Sequence, residues 1–260
     1  YRIPAEAEGK EVLLNVDYRY KESVPLLPKD YVIAYDQLTV TPYTFATLPA
    51  TYPAADEQQP KVEKDERLSW ITLTAGRTSV TFGRQQGWID YLDVDGKPMF
   101  EKGYSLKPDF WRAPTDNDYG AGIQKQFAAW RHTPMNLKQF DCQPVGNAMR
   151  VTARYELPAV SAQLTMTYTL QPDGQLIVNQ KLSVDTAAKQ KPGLFRYGMQ
   201  LCMPKAYNTV EYYGKGPGEN YIDRHHATAW AFTARPWPTN TGATSARRKA
   251  ATKRRYAIGT

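Results

Sequence analysis

Cysteine, histidine and long apolar runs are scarce in this sequence of 260 residues, which holds two cysteines and three histidines, and it has no acidic residue after Asp223. Cys142 and Cys202 are too few for a disulfide framework; buried free thiols are expected, a single bridge stays open, and the redox compartment with it. His132 and the adjacent His225 and His226 have no zinc-ligand spacing, so no metal site is expected. No apolar run reaches the roughly 18 residues of a membrane-spanning helix, and the opening YRIPAEAEGK has neither the basic nor the apolar region of a secretion signal, so any leader would precede Tyr1. Long amphipathic helical patterns are nearly absent as well. There is no Ser nucleophile elbow, and the glycines of YYGKGPGENYIDRHH lack the Gly-Lys-Ser/Thr and the following helix of a phosphate loop.

What is present is tyrosine (18), proline (19) and abundant threonine in short alternating runs, the signature of an all-β class. EVLLNVDYRY places Val12, Leu14, Val16 and Tyr18 on one face, and YVIAYDQLTV reads as a second strand. Two such strands cannot close a core, so residues 1–50 read as the end of a β-sandwich. Residues 51–66, within PATYPAADEQQPKVEKDER, read as a linker. Beyond it, SWITLTAGRTSVTFG reads as a hairpin around Ala75-Gly76. QLTMTYTLQPDGQLIVNQKLSV reads as another, with Leu164, Met166, Tyr168 and Leu170 inward. RYGMQLCM and NTVEYYG add strands, and AGIQKQFAAWR, with Ile123, Phe127 and Trp130 in helical phase, predicts one short helix. The expected architecture is a large antiparallel sandwich whose function lies in its loops.

Charge is uneven along the chain. All of the net charge of +7 comes from residues 229–260, where seven arginines and lysines meet no acid, while residues 1–228 balance. A body built to hold phosphates would not be neutral, which argues against nucleic acid as a partner and leaves a basic arm as the alternative reading of the tail.

Two loops are dense enough in polar residues to carry chemistry. In DFWRAPTDNDYGAG, Arg112 and the run Asp116, Asn117, Asp118 lie among Phe110, Trp111 and Tyr119, a mixture suited to sugar hydroxyls and the apolar face of a pyranose. The same residues suit a purely structural turn with Arg112 paired internally, and composition leaves both readings open. The calcium-loop pattern is not met. In YYGKGPGENYIDRHH, the spacing of Gly214, Gly216 and Gly218 with Pro217 predicts tight turns, locked by Glu219, Asn220, Asp223 and Arg224.

These two loops, in this order, resemble the small-chain super-sandwich domain, galactose mutarotase-like, of family 2 β-galactosidases. The family pattern Arg-Ala-Pro-x-Asp-Asn-Asp falls on Arg112, Ala113, Pro114, Asp116, Asn117 and Asp118. Its second pattern falls on Gly214, Gly216, Pro217, Glu219, Asn220, Tyr221, Asp223 and Arg224. The first fifty residues resemble the closing strands of the immunoglobulin-like domain that precedes it, so the resemblance covers roughly residues 10–230. It implies a retaining glycosidase that cleaves terminal β-D-galactose with two glutamates about 5 Å apart. Those glutamates sit in an upstream TIM barrel, so this chain is expected to carry no catalytic residue, no cofactor and no activity alone; magnesium and sodium belong to the family's catalytic domain. The barrel is the implied partner, the β-galactoside is met through the whole enzyme, and Arg112, Asp116, Asn117, Asp118 and Gly120 are implied at the active-site rim. Homo-oligomerisation, and cytoplasm or periplasm, stay open.

The resemblance places the super-sandwich over residues 67–228 and stops at Thr228. Trp230-Ala231 is encoded by TGG GCN, and reading one base earlier gives Leu, Met or Val followed by Gly. Permitted codons then extend to Gly-Ile-Tyr, Arg-Pro-Gln-Glu and Arg-Tyr-Trp, the family's continuation. Residues 229–260 are therefore expected to be out of frame, with no evolved core partners. The competing reading is a free-standing carbohydrate-binding sandwich with a basic arm.

Overall fold

The computed structural model describes residues 7–44, 52–53, 61–185, 193–216, 218 and 225–236. They form antiparallel sheets throughout, in two compact units: one from residues up to 44 together with those from 208 onward, the other from residues 52–207.

The larger unit is built on two sheets. One orders β3 (Glu63–Glu66), β4 (Trp70–Ala75), β5 (Thr78–Gly83), β6 (Ile89–Val94) and β7 (Lys97–Pro98) in sequence. The other runs β12 (Leu176–Val184), β11 (Ala162–Leu170), β10 (Ala148–Leu157) and β9 (Asn136–Val145). Register follows alternation: Ile71 faces Phe82 and Leu73 faces Val80 across β4–β5, while Val151 faces Tyr168 and Ala153 faces Met166 across β10–β11. All eight side chains are buried in one core, where Phe82 meets Tyr168 with ring centroids 5.1 Å apart. Leu164, Met166, Tyr168 and Leu170 point inward as their spacing predicts, because a strand turns alternate residues to opposite faces. Across β4–β5, Thr72 and Thr81 alternate with the inward residues and take the outer face, where their hydroxyls bond at 2.8 Å.

Both predicted hairpins form, and their turns meet. Gly76 (φ 54°) and Gly174 (φ 87°) adopt left-handed angles, and a Cβ on either would come within 2.9 Å of a backbone carbonyl of the other turn, Asp173 or Ala75. Only glycine fits both demands.

Four expectations are corrected. The linker ends early, since Glu63–Glu66 pairs with β4 as an edge strand; its four charged side chains discourage pairing by a further strand. The predicted helix splits into α2 (Ile123–Gln126) and a 3-10 turn at Ala128–Trp130, because the buried ring of Trp130 packs on Phe110 at 5.3 Å and a straight helix does not continue there. Gly214 and Gly216 lie not in tight turns but in strand β14 (Thr209–Gly216). β14 pairs with β15 (Ala229–Pro236), so the first eight residues of the tail do have a partner. Main-chain pairing is indifferent to side-chain identity, which lets a strand form there while Phe232 stays 85% exposed.

The smaller unit joins that hairpin to β1 (Val12–Arg19) and β2 (Val32–Thr41). Gln37 brackets Trp230, donating to its carbonyl (3.0 Å) and accepting from its amide (2.7 Å), and the Tyr35 hydroxyl donates to the Ala227 carbonyl at 2.5 Å. Residues 208–216 therefore group with the first strands rather than with residues 67–207. Cys142 and Cys202 are free and half-buried.

Candidate functional site

Strand β8 (Lys107–Asp109) pairs with β13 (Gly198–Gln200), which sets residues 109–112 beside residues 195–198 although some 85 positions separate them. Asp109 is the corner: its carboxylate accepts from the Trp111 amide at 3.1 Å and meets Arg196 at 3.5 Å. The chain then turns into α1 (Asp116–Gly120), which begins where Thr115 and Asp118 cap each other. The Thr115 side chain accepts from the Asp118 amide at 3.3 Å, and Asp118 accepts from the Thr115 amide at 2.7 Å. The pattern Thr-x-x-Asp is the capping box, and it makes a helix of one turn worth forming.

Arg112 reaches back to the same carboxylate with two bonds, one at 2.9 Å from Nη2 to Oδ1 and a shorter one from Nη1 to Oδ2. Its guanidinium lies over the ring of Phe195, 4.1 Å from the centroid, and Phe195 in turn packs against Trp111 (4.7 Å) and Phe127 (5.9 Å). Asp118 is buried. Burial pushes its carboxyl up, but hydrogen bonds from Arg112 and Thr115 and the charge of Arg112 outweigh this, and it titrates below the usual carboxylate value.

The five implied rim residues therefore divide. Arg112 and Asp118 are consumed by each other and hold the loop, which is the structural reading of that pair. Asp116, Asn117 and Gly120 are exposed, beside Tyr119 at 54% exposure. A one-turn helix places positions three apart on one side, so Asp116 and Tyr119 offer a carboxylate and a ring together, with the amide of Asn117 adjacent. Such a surface can bond hydroxyls and stack on a sugar face. The positive φ in this segment is at Gly122 (70°), not Gly120, and a Cβ at Gly120 would meet nothing within 4 Å.

Phe195, Arg196 and Asp109 went unseen in the sequence, and no local signal could have found Phe195. The Thr-x-x-Asp spacing from Thr115 to Asp118 is a local signal that could have marked the start of α1. Of the second motif, Gly214 is buried and Gly216 half-buried in β14; Pro217, Glu219, Asn220, Asp223 and Arg224 lie outside the described residues. Among the described residues no group of His, Cys, Asp and Glu side chains could hold a metal ion, and no helix is long and apolar enough to cross a membrane.

Residues 74–232 match the family model described as Beta galactosidase small chain. Three similar curated proteins carry the name Beta-galactosidase. That of Priestia megaterium is 26% identical over 221 residues, covering 84% of this chain and 20% of that protein. That of Actinobacillus pleuropneumoniae is 28% identical, covering 82% of this chain and 21% of the relative. That of Lactobacillus delbrueckii subsp. bulgaricus is 29% identical, covering 85% of this chain and 21% of the relative. The chain thus spans about one fifth of the length of the relatives it matches.

Proposed function

Because this chain belongs to the β-galactosidase small chain family, we propose that it is the non-catalytic C-terminal portion of a family 2 glycoside hydrolase that removes terminal non-reducing β-D-galactose. The observation that carries this reading is the family match across most of the larger unit, joined to coverage of only a fifth of each relative. In this reading the two glutamates and their metal ions belong to an upstream barrel, and this chain supplies no proton transfer or nucleophile. Its contribution is positional. Arg112, Asp118 and Phe195 fix α1 so that Asp116, Asn117 and Tyr119 stand at the rim, where they bond or stack on sugar and exclude water.

The smaller unit supports the same reading. On one face of the β1–β2 pair, Leu14 stands opposite Leu38 and Tyr18 opposite Ala34, with Leu38 55%, Tyr18 52% and Val40 45% exposed. Asp36, opposite Val16, is the one charged side chain among these facing positions, and a face otherwise apolar suits the closing strands of an immunoglobulin-like sandwich, the domain the sequence resembles there.

The test is hydrolysis of a chromogenic β-galactoside by the chain purified from a host without its own β-galactosidase. No turnover is expected. Turnover above a mock purification overturns the non-catalytic assignment. An in-frame upstream sequence encoding no barrel with paired glutamates overturns the placement within a larger enzyme.

A further inference from the structure

A groove of about 450 Å³ opens beside the five-stranded sheet, lined in part by Ser69, Gln85, Gln86, Asp90, Tyr104 and Ser105. It shares no lining residue with the segment 112–120. We propose that this groove is a binding site for a neutral saccharide.

The first support is that its wall is built rather than draped. The turn after β5 is closed by the Gly87 amide on the Gly83 carbonyl (2.7 Å) and the Gly83 amide on the Trp88 carbonyl (3.1 Å), and tied to the groove's edge by the Arg84 amide on the Ser69 carbonyl (2.9 Å). From the core, the Tyr155 hydroxyl donates to the Gln86 carbonyl at 2.8 Å, and Trp88 stacks on the Tyr155 ring, 4.3 Å apart and 8° from parallel. Gly87, at φ 71°, sits so close to the Tyr155 hydroxyl that a Cβ would collide with it. Two exposed amide side chains, Gln85 and Gln86, are thereby presented from a rigid support, the arrangement that spares ordering cost on binding.

The second support is the chemistry of the lining. Asp90 lies against the bare Cα of Gly83, where a Cβ would strike its carboxylate, and the Ser105 hydroxyl donates to its Oδ1 at 3.0 Å. Its Oδ2 is the atom that rests against Gly83; the residue is exposed, and Oδ1, holding one hydrogen bond, keeps a second lone pair as an acceptor. A sugar hydroxyl both donates and accepts, so it pairs with a carboxylate and with amides at once, while the half-exposed ring of Tyr104 offers an apolar face. One carboxylate, Asp90, stands against one ammonium, Lys107, in the lining. That balance favours neither an anion nor a cation. The volume lies within the range of small-molecule pockets, about 300–1,000 Å³.

The experiment is a nuclear magnetic resonance titration of the isotopically labelled chain with methyl β-D-galactopyranoside and methyl β-D-glucopyranoside, with sodium acetate as the charged control. Saturable millimolar shifts confined to residues 83–90 and 103–107 are expected with a glycoside and not with acetate. Asp90→Asn, which keeps the shape and removes the charged acceptor, should weaken binding about tenfold with an unchanged melting temperature, and Gln86→Ala should weaken it less. Absence of saturable shifts, shifts at residues 116–120 instead, tighter binding of acetate, or equal affinity in Asp90→Asn would each overturn the proposal.

Discussion

Replacing Arg112 with methionine should cost the sandwich about 3 kcal/mol, the low end of the loss when one partner of a buried pair is removed. The low end applies because the Arg112 side chain is 23% exposed and that of Asp118 8%, so some water reaches the site. Thr115 also continues to donate to the stranded carboxylate, from its amide at 2.7 Å and its hydroxyl at 3.0 Å. Loss of the guanidinium from the face of Phe195 is part of the same cost. For a domain of this size each kcal/mol moves the melting temperature by roughly 2–4 °C, so calorimetry should show a fall of about 6–12 °C. Hydrogen exchange adds location: the amides of Tyr119 and Ala121, bonded to Thr115 and Asn117 carbonyls at 3.0 Å, should lose protection before the core strands do. The double variant Arg112→Met, Asp118→Leu should recover most of the loss, since it removes the stranded charge as well as the pair. The acid limb carries the sign. Because the Asp118 carboxyl is held below its ordinary value, its stabilisation is full above the unfolded-state pKa of about 3.9 and is lost as pH falls through the lower folded value. Asp118→Asn should flatten that limb. A loss under about 1 kcal/mol for Arg112→Met, costs that simply add in the double variant, or an unchanged acid limb in Asp118→Asn would refute the account of α1 as held by this pair.

The meeting of the two hairpin turns predicts that Gly174→Ala costs about 2 kcal/mol by denaturant unfolding, through a strained angle and a clash with the Ala75 carbonyl; a neutral result would show that the turns part easily. Gly120→Val should leave the melting temperature within about 2 °C, because the added side chain meets nothing and the angle is not left-handed; in the whole enzyme of the proposed function it should change kcat and KM through the rim. Tyr155→Phe should cost about 1 kcal/mol for the bond to Gln86. Burial holds the Tyr155 hydroxyl well above its ordinary pKa, so its stabilisation is present below about pH 10 and is lost as pH rises beyond it, a limb the variant should lack. Reading the gene tests the tail: inserting one base or deleting two near the codon for Thr228 should open a frame that continues with Gly-Ile-Tyr and Arg-Pro-Gln-Glu, and its absence would return residues 229–260 to the basic-arm reading.

Alternation and turn chemistry are local, so they were written into the sequence in full. The inward set Leu164, Met166, Tyr168 and Leu170, the two hairpins and their positive-φ glycines, and the all-β class all follow from neighbours within ten residues. The two loop motifs were legible for the same reason, as was the family they resemble. What a polar residue does with its capacity was not. Arg112 and Asp118 looked as available for sugar as Asp116 and Asn117 until the fold showed them spent on one another over Phe195, a side chain brought there only by the pairing of β8 with β13. Likewise Glu63–Glu66 reads as linker by composition and becomes a strand because β4 offers an open edge. Gly214 and Gly216 read as turns and become strand because β15 lies beside them. Burial, ion pairing and edge pairing are decided by residues distant in sequence, and chain closure brings those together only in the folded state.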